Sequence, residues 1–177
     1  MRVDCDFAEI EIINEPTYSF GSTDNLRFYP KEWRASGSHG PTAIHGVIVD
    51  GEPLVVFGAP STSGVHEHSA LHLHGQVLLA VGDHLVSFCP MPYRLNWSLK
   101  VDLAACFGVH YRAENDALIS HGELEIARVS EDGRIVWSSS GADIFSEGVS
   151  LLPDYVEAVD FNRKTYRFNY GSGAEDV

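Results

Sequence analysis

Short apolar runs separated by turn residues dominate the hydrophobic pattern of this chain. Four pairs of runs predict β-hairpins, and the first three flank the dipeptides Asp50-Gly51, Gly82-Asp83 and Asp132-Gly133. Glycine next to aspartate supplies the positive φ that a tight connection between antiparallel strands needs. The predicted strand pairs are 47–49 with 54–57, 77–81 with 85–88, 124–129 with 134–137, and 155–159 with 165–168. No segment keeps the helical apolar period of about 3.6 residues, so we expect helices to be minor at most.

The order of apolar and polar residues within these runs predicts how each strand is covered. Residues 77–81 are apolar at every position, which is typical of a strand buried on both faces, so this strand is expected to lie centrally. In the third hairpin, Leu124 and Ile126 share one side, because successive side chains point to opposite faces. The other side carries Glu123, Glu125 and Ala127. We therefore expect one buried and one solvated face there.

The chain also repeats itself. Residues 70–80 align without a gap on residues 117–127, 47 positions later, and five of the eleven positions are identical. Trp97 and Trp137 follow the two segments, 40 residues apart, and Asp102 and Asp143 come five or six residues after them. Gly-Val pairs at 64, 108 and 148 divide this region into units at about 64–107, 108–147 and 148–170. Self-similarity at about 40 residues indicates stacked supersecondary units.

A unit of strand, turn and strand ending in tryptophan resembles the blades of WD40-type and quinoprotein-type β-propellers. The resemblance covers about 64–170 and includes 132–137, Asp-Gly-Arg-Ile-Val-Trp, and 155–160, Tyr-Val-Glu-Ala-Val-Asp. The chain lacks the Gly-His and Trp-Asp dipeptides of WD40 repeats, and no quinone-cofactor site is carried over. The resemblance implies an all-β fold of antiparallel meanders, either a small or incomplete propeller or the same units packed as a β-sandwich or roll. We expect one domain over 1–177.

The N-terminal part departs from the repeat. Residues 14–42 contain three prolines and three glycines and predict a long irregular connection, which is uncommon in compact domains and often functional. Its aromatic and basic side chains have the composition of a protein interface. The candidate contact residues are Tyr18, Phe20, Arg27, Phe28, Tyr29, Trp33 and Arg34. Alternatively, the aromatic side chains fold back as a lid over the end of the core.

Charge and composition mainly exclude certain kinds of partner and site. With 12 basic and 25 acidic residues, the net charge of −13 repels phosphate backbones and anionic membranes, so we expect neither nucleic acid nor a membrane as a partner. No apolar window is long enough for a membrane span and the N terminus does not resemble a signal peptide, which favours a cytoplasmic location. Cys5, Cys89 and Cys106 form no Cys-x-x-Cys pair and are expected to be reduced.

Histidines provide the best chemical candidates. His66 and His68, and likewise His72 and His74, are two residues apart, so each pair offers two imidazoles on one face of a strand to a divalent metal. A metal-binding protein or metal-dependent enzyme using these four histidines is therefore the alternative function. The repeat aligns His66 with His110 and His74 with His121, which favours structural roles for these and leaves His68 and His72 unmatched.

Nucleophilic catalysis has little support in the sequence. Asp102, Cys106 and His110 have the spacing of a triad on a helix, but an extended segment spreads them over about 26 Å. The chain has no nucleophile elbow, phosphate loop or dinucleotide fingerprint, and we expect no cofactor. The sequence therefore predicts a non-enzymatic protein-binding or assembly module, with a protein partner or self-association through exposed strand edges.

Overall fold

The computed structural model describes residues 1–5, 7–36 and 40–175, which form four β-sheets in chain order. Sheet 1 contains β1 (Arg2–Val3), β2 (Ile10–Asn14), β3 (Lys31–Arg34), β4 (Ala43–Val49) and β5 (Glu52–Ala59). Sheet 2 contains β6 (Ala70–Leu73), β7 (Gln76–Val81), β8 (His84–Pro90) and β9 (Tyr93–Lys100). Sheet 3 contains β10 (Cys106–Arg112), β11 (Ala117–Gly122), β12 (Glu125–Val129) and β13 (Ile135–Ser140). Sheet 4 contains β14 (Val149–Leu151), β15 (Tyr155–Val159) and β16 (Thr165–Asn169).

The predicted hairpins are confirmed as β4–β5, β7–β8, β12–β13 and β15–β16. Asp50 and Gly51 have φ values of 51° and 84°, the left-handed geometry that suits a two-residue connection between twisted strands. Sheets 2, 3 and 4 are antiparallel meanders whose strands pair in sequence order. Within the described residues, the helical structure is one 3-10 turn at Ala113–Asn115.

Sheet 1 has a different topology, with the strand order β1-β2-β4-β5-β3. Its last strand, β3, pairs in parallel with β5, so the connection predicted to be irregular over 14–42 contains a strand. Because Trp33 is its only large apolar residue, β3 has no alternating apolar pattern in the sequence. The Trp33 ring packs against Phe57, with 5.8 Å between ring centroids, and this tertiary contact holds the strand at the sheet edge.

Apolar clusters join each sheet to the next. Phe57 of sheet 1 packs against Phe88 of sheet 2, with ring centroids 5.1 Å apart. Residues of β7 alternate between two clusters, since Leu79 faces sheet 1 and Leu78 faces sheet 3. The predicted two-sided burial of 77–81 is therefore confirmed. The solvated face predicted for the third hairpin is wrong at Ala127, which is fully buried because sheet 3 lies between two other sheets.

The same backbone hydrogen bond recurs at three connections between sheets. Three backbone N–H groups in strand-to-strand turns donate to carbonyls of the connection that precedes their own sheet. The pairs are Asp83 to Pro60 at 3.1 Å, Glu123 to Ala105 at 2.7 Å, and Phe161 to Ile144 at 2.8 Å. Because these donors recur about every 40 residues, the structural period agrees with the spacing of Trp97 and Trp137.

The 47-residue alignment, by contrast, is one strand out of register. Residues 70–73 form β6, the first strand of sheet 2, whereas 117–122 form β11, the second strand of sheet 3. The equivalent first strands are β6 and β10. The misalignment arises because both strands begin with Ala-Leu and are paired with a His-Gly dipeptide, which forms the turn after β6 but ends the strand in β11. Local similarity therefore does not identify the position of a strand in its sheet.

Candidate functional site

Residues 15–30 cross the outer face of sheet 1 and cover it; we call this segment the N-terminal cover. Tyr18 and Tyr29, 8% and 2% exposed, pack against Ile44 and Val56 of the sheet. Phe20 extends the same cluster. These three aromatic side chains therefore fold back onto the protein, as in the lid alternative, but they cover a face of sheet 1 and not the end of the core.

Two carboxylates hold the N-terminal cover in place. Glu15 accepts hydrogen bonds from the Tyr29 hydroxyl at 2.7 Å and from the Arg27 guanidinium. Glu32 accepts a hydrogen bond from the Tyr18 hydroxyl at 2.7 Å. Burial, followed by the bond to Glu32, raises the pKa of Tyr18 to about 12. Burial and the bond to Glu15 also raise the pKa of Tyr29, so both tyrosines stay protonated as donors.

One turn of the cover presents apolar side chains to solvent. Leu26 is 101% and Phe28 is 80% exposed, although Arg27 and Tyr29 alternate with them and point inward. The Asn25 side chain fixes the preceding turn by donating to the carbonyls of Ser19 and Ser22. We call Leu26 and Phe28 the apolar tip.

The seven predicted contact residues thus divide into two groups. One group is exposed to solvent and consists of Phe28 and Arg34. The other is buried or half-buried within the fold and consists of Tyr18, Phe20, Arg27, Tyr29 and Trp33. The Arg34 guanidinium lies over the Phe20 ring, 5.4 Å from its centroid. Leu26 was missed, and the alternation of apolar Leu26 and Phe28 with the anchored Arg27 and Tyr29 is the pattern that identifies it.

The four histidines predicted as metal ligands do not form one cluster in the described part of the chain. His72 packs edge-on against Phe7, with ring centroids 5.3 Å apart. His74, in the β6–β7 turn, lies 2.7 Å from Glu131 through Nδ1. His66 and His68 stay together in the loop before β6, with ring centroids 6.1 Å apart.

A different set of histidines surrounds a pocket of about 350 Å³, which we call the histidine pocket. Its lining comes from the loop before β6, from β10 and β11, and from the loop that leads into β14 together with the first residue of that strand. The residues are His66, His68, Phe107, His110, His121, Ser146, Gly148 and Val149. The His68 and His110 ring centroids are 4.8 Å apart, and those of His110 and His121 are 6.2 Å apart.

The rings at the back of the histidine pocket are uncharged at neutral pH. Burial is the main reason that the pKa of His110 falls to about 4, and the neighbouring histidines lower it further. Burial also lowers the pKa of His121. Within the described ranges, no group of three or more His, Cys, Asp or Glu side chains could hold a metal ion.

Asp102 and Cys106, two residues with the sequence spacing of a catalytic triad, have separate structural roles. The Asp102 carboxylate accepts hydrogen bonds from the backbone N–H groups of Ala104, Leu124 and Glu125. Cys106 is fully buried, and burial raises the pKa of its thiol to about 12. A thiol with this pKa provides no thiolate nucleophile at neutral pH.

Comparisons with known proteins bear on the fold. No protein-family model and no curated protein sequence matches the chain. A similar solved structure is that of BamB from Moraxella catarrhalis, with a TM-score of 0.54 and 12% sequence identity. The match covers 85% of this chain and 50% of BamB, so the chain spans half the length of that structure. The predicted all-β, propeller-like fold is confirmed.

Within residues 1–5, 7–36 and 40–175, no helix has the length and hydropathy that a membrane-spanning helix requires.

Proposed function

We propose that this chain is a non-enzymatic protein-binding module that contacts its partner through the apolar tip. The observation that carries the proposal is the exposure of Leu26 and Phe28 on a turn whose other residues are anchored. Burying these two side chains in a partner is worth about 3 to 6 kcal/mol in total. Since the turn is already ordered, little of this free energy is spent on fixing its conformation.

The chemistry of the apolar tip indicates the kind of partner. A leucine and a phenylalanine that project side by side fit an apolar pocket on a separate protein, as interface anchors commonly do. The net charge of −13 favours a partner with a basic surface, because long-range attraction then speeds the encounter. The propeller-like fold supports the proposal that the chain is such a module.

Point substitutions test the proposal, because replacing the whole of 18–34 removes Tyr18, Tyr29 and β3 from the fold. The wild-type chain and L26S/F28S are used as baits in cell extract, and each recovered protein is purified and its affinity measured. The matched control is M91S/F161S, which changes two other exposed apolar side chains, 58% and 63% accessible.

We expect a directly binding partner whose affinity falls at least tenfold for L26S/F28S and is unchanged for M91S/F161S. Equal affinity for the wild type and L26S/F28S would reject the apolar tip as the contact surface. Sedimentation of the wild type and L26S/F28S over a range of concentrations tests self-association through the same residues.

A further inference from the structure

The histidine pocket has the size and lining of a site for a small molecule. Its volume of about 350 Å³ lies within the range of ligand pockets in proteins, which begins at about 300 Å³. Ring surfaces form much of the wall. Phe107 packs edge-on against His121, with ring centroids 5.5 Å apart, and the His110 ring neighbours both His121 and His68. A planar aromatic ligand suits such a wall, because aromatic rings pack favourably against one another.

The charges around the histidine pocket indicate an uncharged ligand. The described residues that line it include no Asp, Glu, Lys or Arg. Burial is the main reason that the pKa values of His110 and His121 are lowered, so both rings are uncharged at neutral pH. An anion in the pocket would therefore lose its hydration without meeting a lysine or arginine, and this costs free energy.

One ring nitrogen defines the hydrogen bond that the ligand makes. Nε2 of His121 donates to the Phe145 carbonyl at 2.9 Å, so Nδ1 of the uncharged ring carries a lone pair. Within the described residues this Nδ1 makes no hydrogen bond, and it is not one of the buried unpartnered atoms, whereas Nε2 of His110 is. His121 therefore offers an acceptor, which fits a ligand with an N–H or O–H group.

Hydrogen bonds of the loop before β6 hold the histidine pocket in shape. Nε2 of His66 donates to the Phe107 carbonyl at 2.6 Å, and its Nδ1 accepts from the His68 backbone N–H at 3.3 Å. The backbone carbonyl of His68 also accepts from the Val109 N–H at 2.8 Å. The loop is therefore tied to β10, and little free energy is spent on ordering it when a ligand binds.

We propose that the histidine pocket binds a small, uncharged, planar aromatic molecule that donates an N–H or O–H group to Nδ1 of His121. The ring of this ligand packs among the side chains of Phe107, His110 and Val149, which line the pocket. No residue of the N-terminal cover is among the described lining residues. The site is therefore separate from the apolar tip and goes beyond the binding of a protein partner.

Indole is a suitable probe, because it is uncharged and planar and has one N–H group. NMR titration of the isotope-labelled full chain measures its affinity, and the backbone amide signals of Phe107 and Gly148 report binding at the pocket. We expect saturable binding of indole and about fivefold weaker binding of N-methylindole, which lacks the donor. Indole-3-carboxylate, an anion at neutral pH, should bind about tenfold more weakly than indole.

Ser146→Phe tests the location of the site, because the new ring would occupy the pocket that Ser146 lines. The matched control is Ser150→Phe, which adds the same ring at another exposed serine that is not among the described lining residues. We expect indole to bind at least tenfold more weakly to Ser146→Phe and as in the wild type to Ser150→Phe.

Three results would overturn the proposal: no saturable change at the amides of the pocket, equal affinity of the wild type for indole and N-methylindole, or equal affinity of the wild type and Ser146→Phe for indole. Circular dichroism confirms that each variant folds. If Ser146→Phe does not fold, the comparison of the three probes on the wild type decides the question. Since the apolar tip is untouched in these variants, failure of this site leaves the test of partner binding independent.

Discussion

The indole ring of Trp97 lies so close to Gly133 that a β-carbon on this glycine would be 2.5 Å from Trp97 Cδ2. Trp137 stands in the same relation to Gly173, where the corresponding distance is 2.6 Å. Each indole N–H also donates to a carbonyl of the following sheet, Glu131 at 2.7 Å and Tyr170 at 2.8 Å. The repeated tryptophan thus fastens one sheet to the next through both packing and a hydrogen bond.

Gly133→Ala is expected to destabilise the fold by about 2 to 3 kcal/mol. The φ of Gly133 is 79°, which strains any residue with a β-carbon, and the new methyl group would also displace the Trp97 ring. For a chain of this size the melting temperature should fall by about 4 to 10 °C. Thermal unfolding followed by circular dichroism measures the change.

Gly51→Ala separates the two causes. Gly51 has a similar φ of 84°, but an added β-carbon would meet nothing within 4 Å. This variant should therefore show only the backbone strain, about 1 kcal/mol. If both variants lose the same stability, the contact between Trp97 and Gly133 does not join the sheets as inferred.

Local patterns were sufficient for the hairpins because a hairpin is a local structure. Asp50-Gly51 sets its own turn geometry, and the strands on either side pair because they are adjacent in the chain. The position of β3 depends instead on the packing of Trp33 against Phe57, which no local pattern contains. The burial of Ala127 likewise depends on sheet 2, since Ala127 shares the face of β12 on which Val129 packs against that sheet, and the hairpin alone does not specify this neighbour.

Asp102→Asn is expected to weaken the junction between sheets 2 and 3. The Asp102 carboxylate accepts N–H groups from Ala104 at 2.6 Å and from Leu124 and Glu125 at 2.9 Å. An amide offers one acceptor oxygen and directs its NH₂ group at another donor, so we expect a loss of about 2 to 3 kcal/mol. Urea unfolding monitored by tryptophan fluorescence measures it.

Asp143→Asn is the matched control at the next junction. The Asp143 carboxylate accepts the Ile144 N–H at 2.8 Å and the Asn162 side-chain amide at 2.7 Å. The bond to Asn162 is exposed to solvent, so water replaces it at little cost and the expected loss is below about 1 kcal/mol. A loss at Asp143 equal to that at Asp102 would contradict the special role of the buried carboxylate.

Gly46→Ala is expected to loosen the N-terminal cover. A β-carbon on Gly46 would overlap the Tyr29 hydroxyl, so the ring must leave its place on the sheet and its bond to Glu15. Because local opening exposes the backbone to proteases, chymotrypsin should cleave after Phe28 about tenfold faster, whereas Pro30 blocks cleavage after Tyr29. Gly64→Ala is the control, since an added β-carbon there meets nothing within 4 Å. Unchanged cleavage of Gly46→Ala would argue against the cover.

Only part of the candidate site could be predicted from the sequence. The proximity of His66 and His68 follows from their spacing, and Phe28 was among the candidate contact residues. The histidine pocket depends on three segments brought together by the packing of sheets, so His110 and His121 were interpreted as repeats of other histidines. The alignment that suggested this was one strand out of register. Because of this error, His110 and His121, which the fold places beside His68, were left out of the candidate site.

Stability should fall at mildly acidic pH because of His45. This side chain is fully buried on β4, Ser63 Oγ lies 3.3 Å from its Nε2, and the nearest titratable group that affects it is His66. Burial is the main reason that its pKa falls from 6.5 to about 4.

The folded protein therefore keeps His45 uncharged, whereas the unfolded chain takes up a proton below pH 6.5. This difference stabilises the fold fully above pH 6.5 and is lost as pH falls towards 4. Between pH 7.5 and 5 the contribution of His45 is expected to fall by about 2 kcal/mol. Urea unfolding at both pH values measures the free energy of unfolding of the wild type and of His45→Gln, whose amide does not titrate. The decrease in this free energy from pH 7.5 to 5 should be smaller in the variant by this amount. The same pH dependence in the wild type and the variant would show that His45 is protonated equally in the folded and unfolded states.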